Sequence, residues 1–250
     1  VDGCARDPEA ALRRNGEATG VLAQACAEHG LDLLVISTNE VFDGRRTNGE
    51  GYRASDDPNP INAYGRSKLA GETAAAAAYV ALGMPPGPYA PGERAPGGPQ
   101  LAIVRTAWLY GPPGGDFPAK IVAAAERARH AGEPLRLVAD EVGSPTYTAD
   151  LAEAIVGLLG SGTVAGIHHV VNAGRASRAD WARAVLRHAG IAVPTEDVPA
   201  ATWTRVSTPP AWAVLEPTPL PDGQPLRPWQ DATAEYVAAL VRSSARSASR

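Results

Sequence analysis

The chain has 250 residues, 44% hydrophobic and 20% charged, with a net charge of −4 and five histidines. Such a composition reads as a soluble globular protein with ample core, and its acidic balance argues against nucleic-acid or anionic-membrane binding. No apolar stretch approaches a membrane span, no secretory signal opens the chain, and two cysteines, Cys4 and Cys26, read as reduced thiols of a cytoplasmic protein. The first residue is Val1 and the only methionine is Met84, which reads as a piece of a longer product.

Residues 8–29 are expected to form a helix: Pro8 suits the first turn and Gly30 ends it. Leu12, Ala18, Val21, Leu22 and Cys26 would supply its buried stripe. An apolar run, Leu33 to Ile36, then stops at Ser37 and Thr38 in "VISTNEVFDG". It reads as a buried parallel strand, and ligands of open α/β sheets bind beyond the carboxyl ends of strands. Residues 44–62 are loop, and a helix starts near Asn62 through "AYGRSKLAGETAAAAAYVAL". The Pro/Gly-rich segment 83–100 reads as a surface insertion.

"LAIVRTAWLYG" is the next strand, followed by a helix over 117–131 and a short strand in "LRLVAD". A helix in "SPTYTADLAEAIVGLLGSG" has Thr148 or Asp150 to cap its start. A strand in "GIHHVVNAG" and a helix in "SRADWARAVLRHAG" come next. The proline-rich stretch 193–228 is expected to wrap without regular layers, before a last helix from about Pro228 to Val241. Strands alternating with helices make the class α/β with a parallel sheet.

Tyr64 and Lys68 stand four apart in "YGRSK", on one helical face. An ammonium beside a phenol favours the phenolate, so Lys68 is expected to lower the Tyr64 pKa. Such pairs also occur on solvated helix surfaces, so the context has to decide. His168 and His169 have no cysteine or carboxylate at metal spacing, and no metal ligand set is assigned.

The context is a strand ending in Ser37 and Thr38, with Thr38 lying 26 residues before Tyr64. With "ISTNEVFDG", "PINAYGRSKLAGE", "IVRTAWLYG" and "VADEVGSPTYTADLAEAI", the chain resembles the dTDP-4-dehydrorhamnose reductase family of the extended short-chain dehydrogenase/reductase superfamily. The resemblance runs from Val1 to about Trp229 and implies a partial doubly wound, Rossmann-like sheet with a smaller C-terminal α/β lobe. Residues 1–110 would be the second part of the dinucleotide-binding domain; 111–250 would be mainly substrate lobe, with about 147–172 returning to the first domain.

The reaction so implied is reduction of the C4 carbonyl of a dTDP-4-keto-6-deoxy sugar by NADPH or NADH. Thr38, Tyr64 and Lys68 would be catalytic, and Ser37, Tyr64, Lys68 and Asn15 would face the cofactor. Thr38, Asn39, Glu40 and Trp108 would face the dTDP-sugar. Members of the family can bind Mg²⁺ at a dimer contact, so a homodimer is implied too, with no ligands placed here. The competing readings are a sugar-nucleotide epimerase or dehydratase holding NAD⁺, and a non-catalytic, reductase-like binding subunit.

The chain departs from the family in three places. No G-x-x-G-x-x-G turn follows a strand and opens a helix anywhere in it, so roughly 60 residues, two βαβ units of ~30, are expected to precede Val1. Asn39 and Glu40 replace the family's Asp-Tyr. Pro209 stands where an arginine suited to a diphosphate would be, with Arg205 or Arg227 as candidates to compensate.

Overall fold

The computed structural model describes residues 1–81, 98–162 and 165–248, with side chains described through 243. Most of the expected 83–100 insertion lies outside the described residues. Two short helices, α1 (Asp2–Arg6) and α2 (Pro8–Ala11), open the chain; Asp7 caps the second through Ala10 N–H at 2.9 Å. A π-helical turn, Leu12–Glu17, leads into α3 (Ala18–Glu28), and β1 (Leu33–Thr38) follows. The helix α4 (Ala63–Val80) starts where Asn62 Oδ1 accepts the Gly65 N–H at 2.8 Å. Then come β2 (Leu101–Thr106), β3 (Leu109–Tyr110), α5 (Phe117–Ala131), β4 (Leu135–Val138), β5 (Val142–Gly143) and β6 (Thr146–Tyr147). After α6 (Thr148–Gly160) run β7 (Gly166–His169), β8 (Asn172–Ala173), β9 (Ala176–Ser177) and α7 (Arg178–Ala189). The chain closes with β10 (Thr195–Val198), β11 (Trp212–Ala213), β12 (Leu226–Pro228) and α8 (Trp229–Ala248).

The main sheet is parallel, in the order β1-β2-β7. Helices cover both of its faces, which is why its strands read as continuous apolar runs. On one face Val35 packs with Ala23, Ala27, Ala75, Ala78 and Tyr79 of α3 and α4. Small residues let these helices approach closely: a Cβ on Gly71 would lie 2.2 Å from the Asn15 carbonyl oxygen. On the other face Ala102 and Val104 meet Leu151, Ala154 and Leu158 of α6. Around Trp181 of α7 a second core gathers side chains from α5, β3, β4, β6 and α8.

Three expectations are corrected. Leu12, Val21 and Leu22 are exposed, and the buried stripe of the second helical region is Ala23 and Ala27. Neither Thr148 nor Asp150 caps α6; Asp150 is instead bound by Arg227 and Asn172. The 193–228 stretch does supply ordered strands, with β10 pairing along β4 and β11 along β5, because backbone polar groups that pack against the lobe need partners.

Candidate active site

Thr38 is the last residue of β1, and its Oγ1 accepts the Glu40 N–H at 3.2 Å, turning the chain into the Asn39–Val41 3-10 turn. Its hydroxyl also shares a hydrogen bond with the Tyr64 phenol, in the first turn of α4. The structure thus brings Thr38 and Tyr64 together at the carboxyl end of β1, with Lys68 one turn further along α4.

The expected effect of Lys68 on Tyr64 is not what governs the phenol. Burial raises the Tyr64 pKa, the Thr38 hydrogen bond opposes it, and the Glu40 carboxylate and Cys4 add to the rise. Lys68 is itself half-buried; burial lowers its pKa and the charge of Glu72 opposes that shift. Desolvation outweighs the helical neighbour, which spacing alone does not reveal.

Asn15 sits in the π-helical turn and donates to Ser67 Oγ at 3.0 Å; Ser67 in turn donates to the Tyr64 carbonyl at 2.8 Å. It thus braces α4 beside Lys68 through Ser67. Ser37 directs its hydroxyl to the buried Glu72 carboxylate, away from Thr38. Asn39 is buried, with its Oδ1 3.3 Å from Thr38 Oγ1. Glu40 accepts from Asn62 Nδ2 at 2.6 Å, and the same amide nitrogen reaches the Thr208 carbonyl at 3.1 Å. The Glu40 pKa is raised, chiefly by burial, against the pull of Asn62 and Arg178.

Trp108 joins β2 to β3 with φ at +42°, a left-handed conformation that costs a bulky residue strain and often marks a working site. The Arg178 guanidinium lies 3.6 Å over its ring, and Trp181 stacks at 5.8 Å. A Cβ on Gly143 would come within 2.4 Å of the Trp108 ring, so only glycine admits the indole there. Next to it opens a cleft of about 590 Å³ lined by Phe117, Lys120, Arg136, Glu141, Arg178, Trp203 and Arg205, among others. Arg205 and Arg178 both pair with Glu141. Four cations against one carboxylate make this cleft a place for an anionic ligand, with flat rings at hand.

His169 is fully buried, its Nδ1 bonded to the Tyr52 carbonyl at 3.0 Å, and its pKa is pushed down to about 3 by burial and by Arg105. The unfolded chain takes up that proton near pH 6.5 and the folded one near 3. Stability is therefore full above pH 6.5 and drains as the pH falls toward 3, by up to about 1.4 kcal/mol per pH unit. Denaturant midpoints between pH 7 and 4 check this: H169Q should flatten the acid slope relative to the parent.

The sequence matches the RmlD substrate binding domain over residues 1–242. The chain belongs to that family. It is 37% identical over 246 residues to a dTDP-4-dehydrorhamnose reductase of Mycolicibacterium smegmatis, covering 96% of this chain and 68% of the relative. Among solved structures, a dTDP-4-dehydrorhamnose reductase from Clostridium acetobutylicum superposes with a TM-score of 0.81 at 29% identity, covering 96% of this chain and 77% of that one. The Bacillus anthracis enzyme, solved in complex with NADP, gives 0.80 at 28%, covering 96% and 76%.

Within this RmlD-type chain the two compensation candidates part ways. Arg205 lines the cationic cleft, whereas Arg227 is held by both Asp150 oxygens and by Glu235. For a nicotinamide cofactor the Tyr64–Lys68 end fits, since Lys68 offers an ammonium with no hydrogen-bond or ion-pair partner among the described residues. A glycine-rich cradle for its pyrophosphate does not occur in these 250 residues. Among the described residues of this single chain, no three His, Cys, Asp or Glu side chains converge. Sequence reasoning missed Glu72, Arg105, Arg178 and Lys120. One signal was available: of 23 cationic side chains only two, at positions 68 and 120, are lysines, and both stand at the site.

Proposed function

We propose that this chain reduces the C4 carbonyl of a dTDP-4-keto-6-deoxy sugar with NADPH or NADH, dTDP-4-dehydrorhamnose becoming dTDP-L-rhamnose. The observation that carries the reading is the Thr38–Tyr64 hydroxyl pair, with the Lys68 ammonium one turn further on, at the carboxyl end of a parallel strand. The bound cofactor supplies the hydride. Tyr64, kept protonated at neutral pH by burial and by Glu40, hands its proton to the developing alkoxide. Thr38 donates to the same oxygen. Lys68 holds the nicotinamide ribose, and Asn15, through Ser67, keeps that stretch of α4 in place.

Trp108 gives the sugar a flat wall, and the adjoining cleft receives the nucleotide, its diphosphate set against Lys120, Arg178 and Arg205. In this reading residues 1–110 and about 147–172 form the cofactor side and the remainder the substrate side. The reaction belongs in the cytoplasm, where Cys4 and Cys26 stay unpaired.

Calorimetric titration with NADPH, followed by assay with dTDP-4-dehydrorhamnose, tests the reading. Bound NADPH consumed in step with product supports it, and a bound NAD⁺ recycled without net consumption would replace reduction by epimerisation or dehydration. R205A should raise KM for the dTDP-sugar about 10-fold or more while changing kcat less, as expected on losing a charged hydrogen bond made alike in ground and transition states. Initial-rate kinetics over sugar concentration decide it.

A further inference from the structure

Lys68 is a half-buried ammonium without a hydrogen-bond or ion-pair partner among the described residues, although Glu72 stands one helical turn further along α4. Lysine and glutamate four apart on a helix are neighbours within reach of each other. Here they do not pair. Glu72 accepts the Ser37 hydroxyl, and Arg105 grips it with Nε at 3.1 Å and Nη2 at 2.6 Å. Both members of the pair are buried, at 2% and 4% exposure.

The main sheet explains why Arg105 is there. Ser37, Arg105 and His169 stand directly opposite one another across β1, β2 and β7, and so form one row on the α4 face. The guanidinium fork matches a carboxylate at two points, which an ammonium cannot do.

We propose that Arg105 is a positioning residue: by saturating Glu72 from the sheet side it keeps Lys68 from folding back onto that carboxylate and leaves its ammonium free beside Tyr64. The inference rests on the reading of Tyr64 and Lys68 as the reactive pair. It gives the buried ion pair a task other than stability, for which such pairs are weak devices. Four residues apart on α4, Lys68 and Glu72 are near enough for capture.

With only two lysines in the chain, isotope-labelled lysine gives two side-chain resonances, and K120R assigns them. The ligand-free chain is titrated by NMR. In R105Q, Glu72 is released, Lys68 closes on it, and its titration midpoint rises by about one pH unit or more. In the E72Q background the same Arg105 substitution should leave the midpoint nearly unmoved. An equal rise in both backgrounds would make Arg105 an ordinary neighbouring charge and overturn the proposal, as would no rise at all. Should R105Q not fold, R105K keeps the buried charge with a single point of contact, its additional lysine resonance being told from that of Lys68 with a K68R variant; a smaller rise is expected for Lys68, and none would overturn the proposal. An inactive parent chain would sink the reductase reading while leaving this titration interpretable.

Discussion

Tyr64→Phe should lower kcat by about 10²–10⁴-fold, the range that a positioned proton donor contributes. The substitution removes one oxygen and keeps the ring, so the packing of α4 should survive. Binding should change little, and kcat and kcat/KM should fall together, because the proton is transferred only in the transition state. The pH profile of the parent carries the sign. The Tyr64 pKa lies above its ordinary value of 10, so the neutral, protonated phenol persists through neutral pH. Reduction by the parent should therefore hold level across neutral pH, with no limb from Tyr64 below pH 10. Initial rates of NADPH consumption for both chains decide it. Undiminished turnover in Tyr64→Phe would remove Tyr64 from the chemistry.

Trp181→Ala should destabilise the protein by about 3–5 kcal/mol, the cost of emptying a large aromatic site in a packed core. Trp181 is fully buried and stacks on Phe117 at 4.4 Å and on Trp108 at 5.8 Å, with Tyr110 edge-on at 5.2 Å. Its Nε1 donates to Thr233 Oγ1 at 3.2 Å, so the truncation also strips a buried hydroxyl of a partner. For a chain of this size the loss corresponds to a melting temperature lower by roughly 10 °C. Substrate affinity should fall as well, because Trp181 supports the strained Trp108 from behind. Thermal unfolding and KM for the dTDP-sugar read the two effects separately. A melting shift with unchanged KM would detach Trp108 from substrate binding.

The alternation of apolar runs with helical stretches was legible in the sequence, and the parallel α/β class with it. Local signals placed the starts of helices well where short-range chemistry decides them: Asn62 caps α4, and Asp116 caps α5. They failed where partners come from afar. Asp150 looked like a cap and is held by Arg227, 77 residues away. Val21 and Leu22 looked like core because helical periodicity reveals a stripe but not which neighbour covers it; the close α3–α4 approach buried alanines instead.

Thr38, Tyr64 and Lys68 could be picked out because a strand end and a four-residue helical spacing are local facts, and the RmlD-type context around them is written in contiguous motifs. How those groups are charged and held was decided by the tertiary structure. Burial raised the Tyr64 pKa against the expected pull of Lys68. Arg105 met Glu72 across 33 residues, and Asn15 met Ser67 across 52. Arg178 settled on Trp108 from the start of α7. Covalent spacing determines what can share a strand end or a helix face. Desolvation and ion pairing depend on which surfaces meet, and only the packed chain brings those surfaces together.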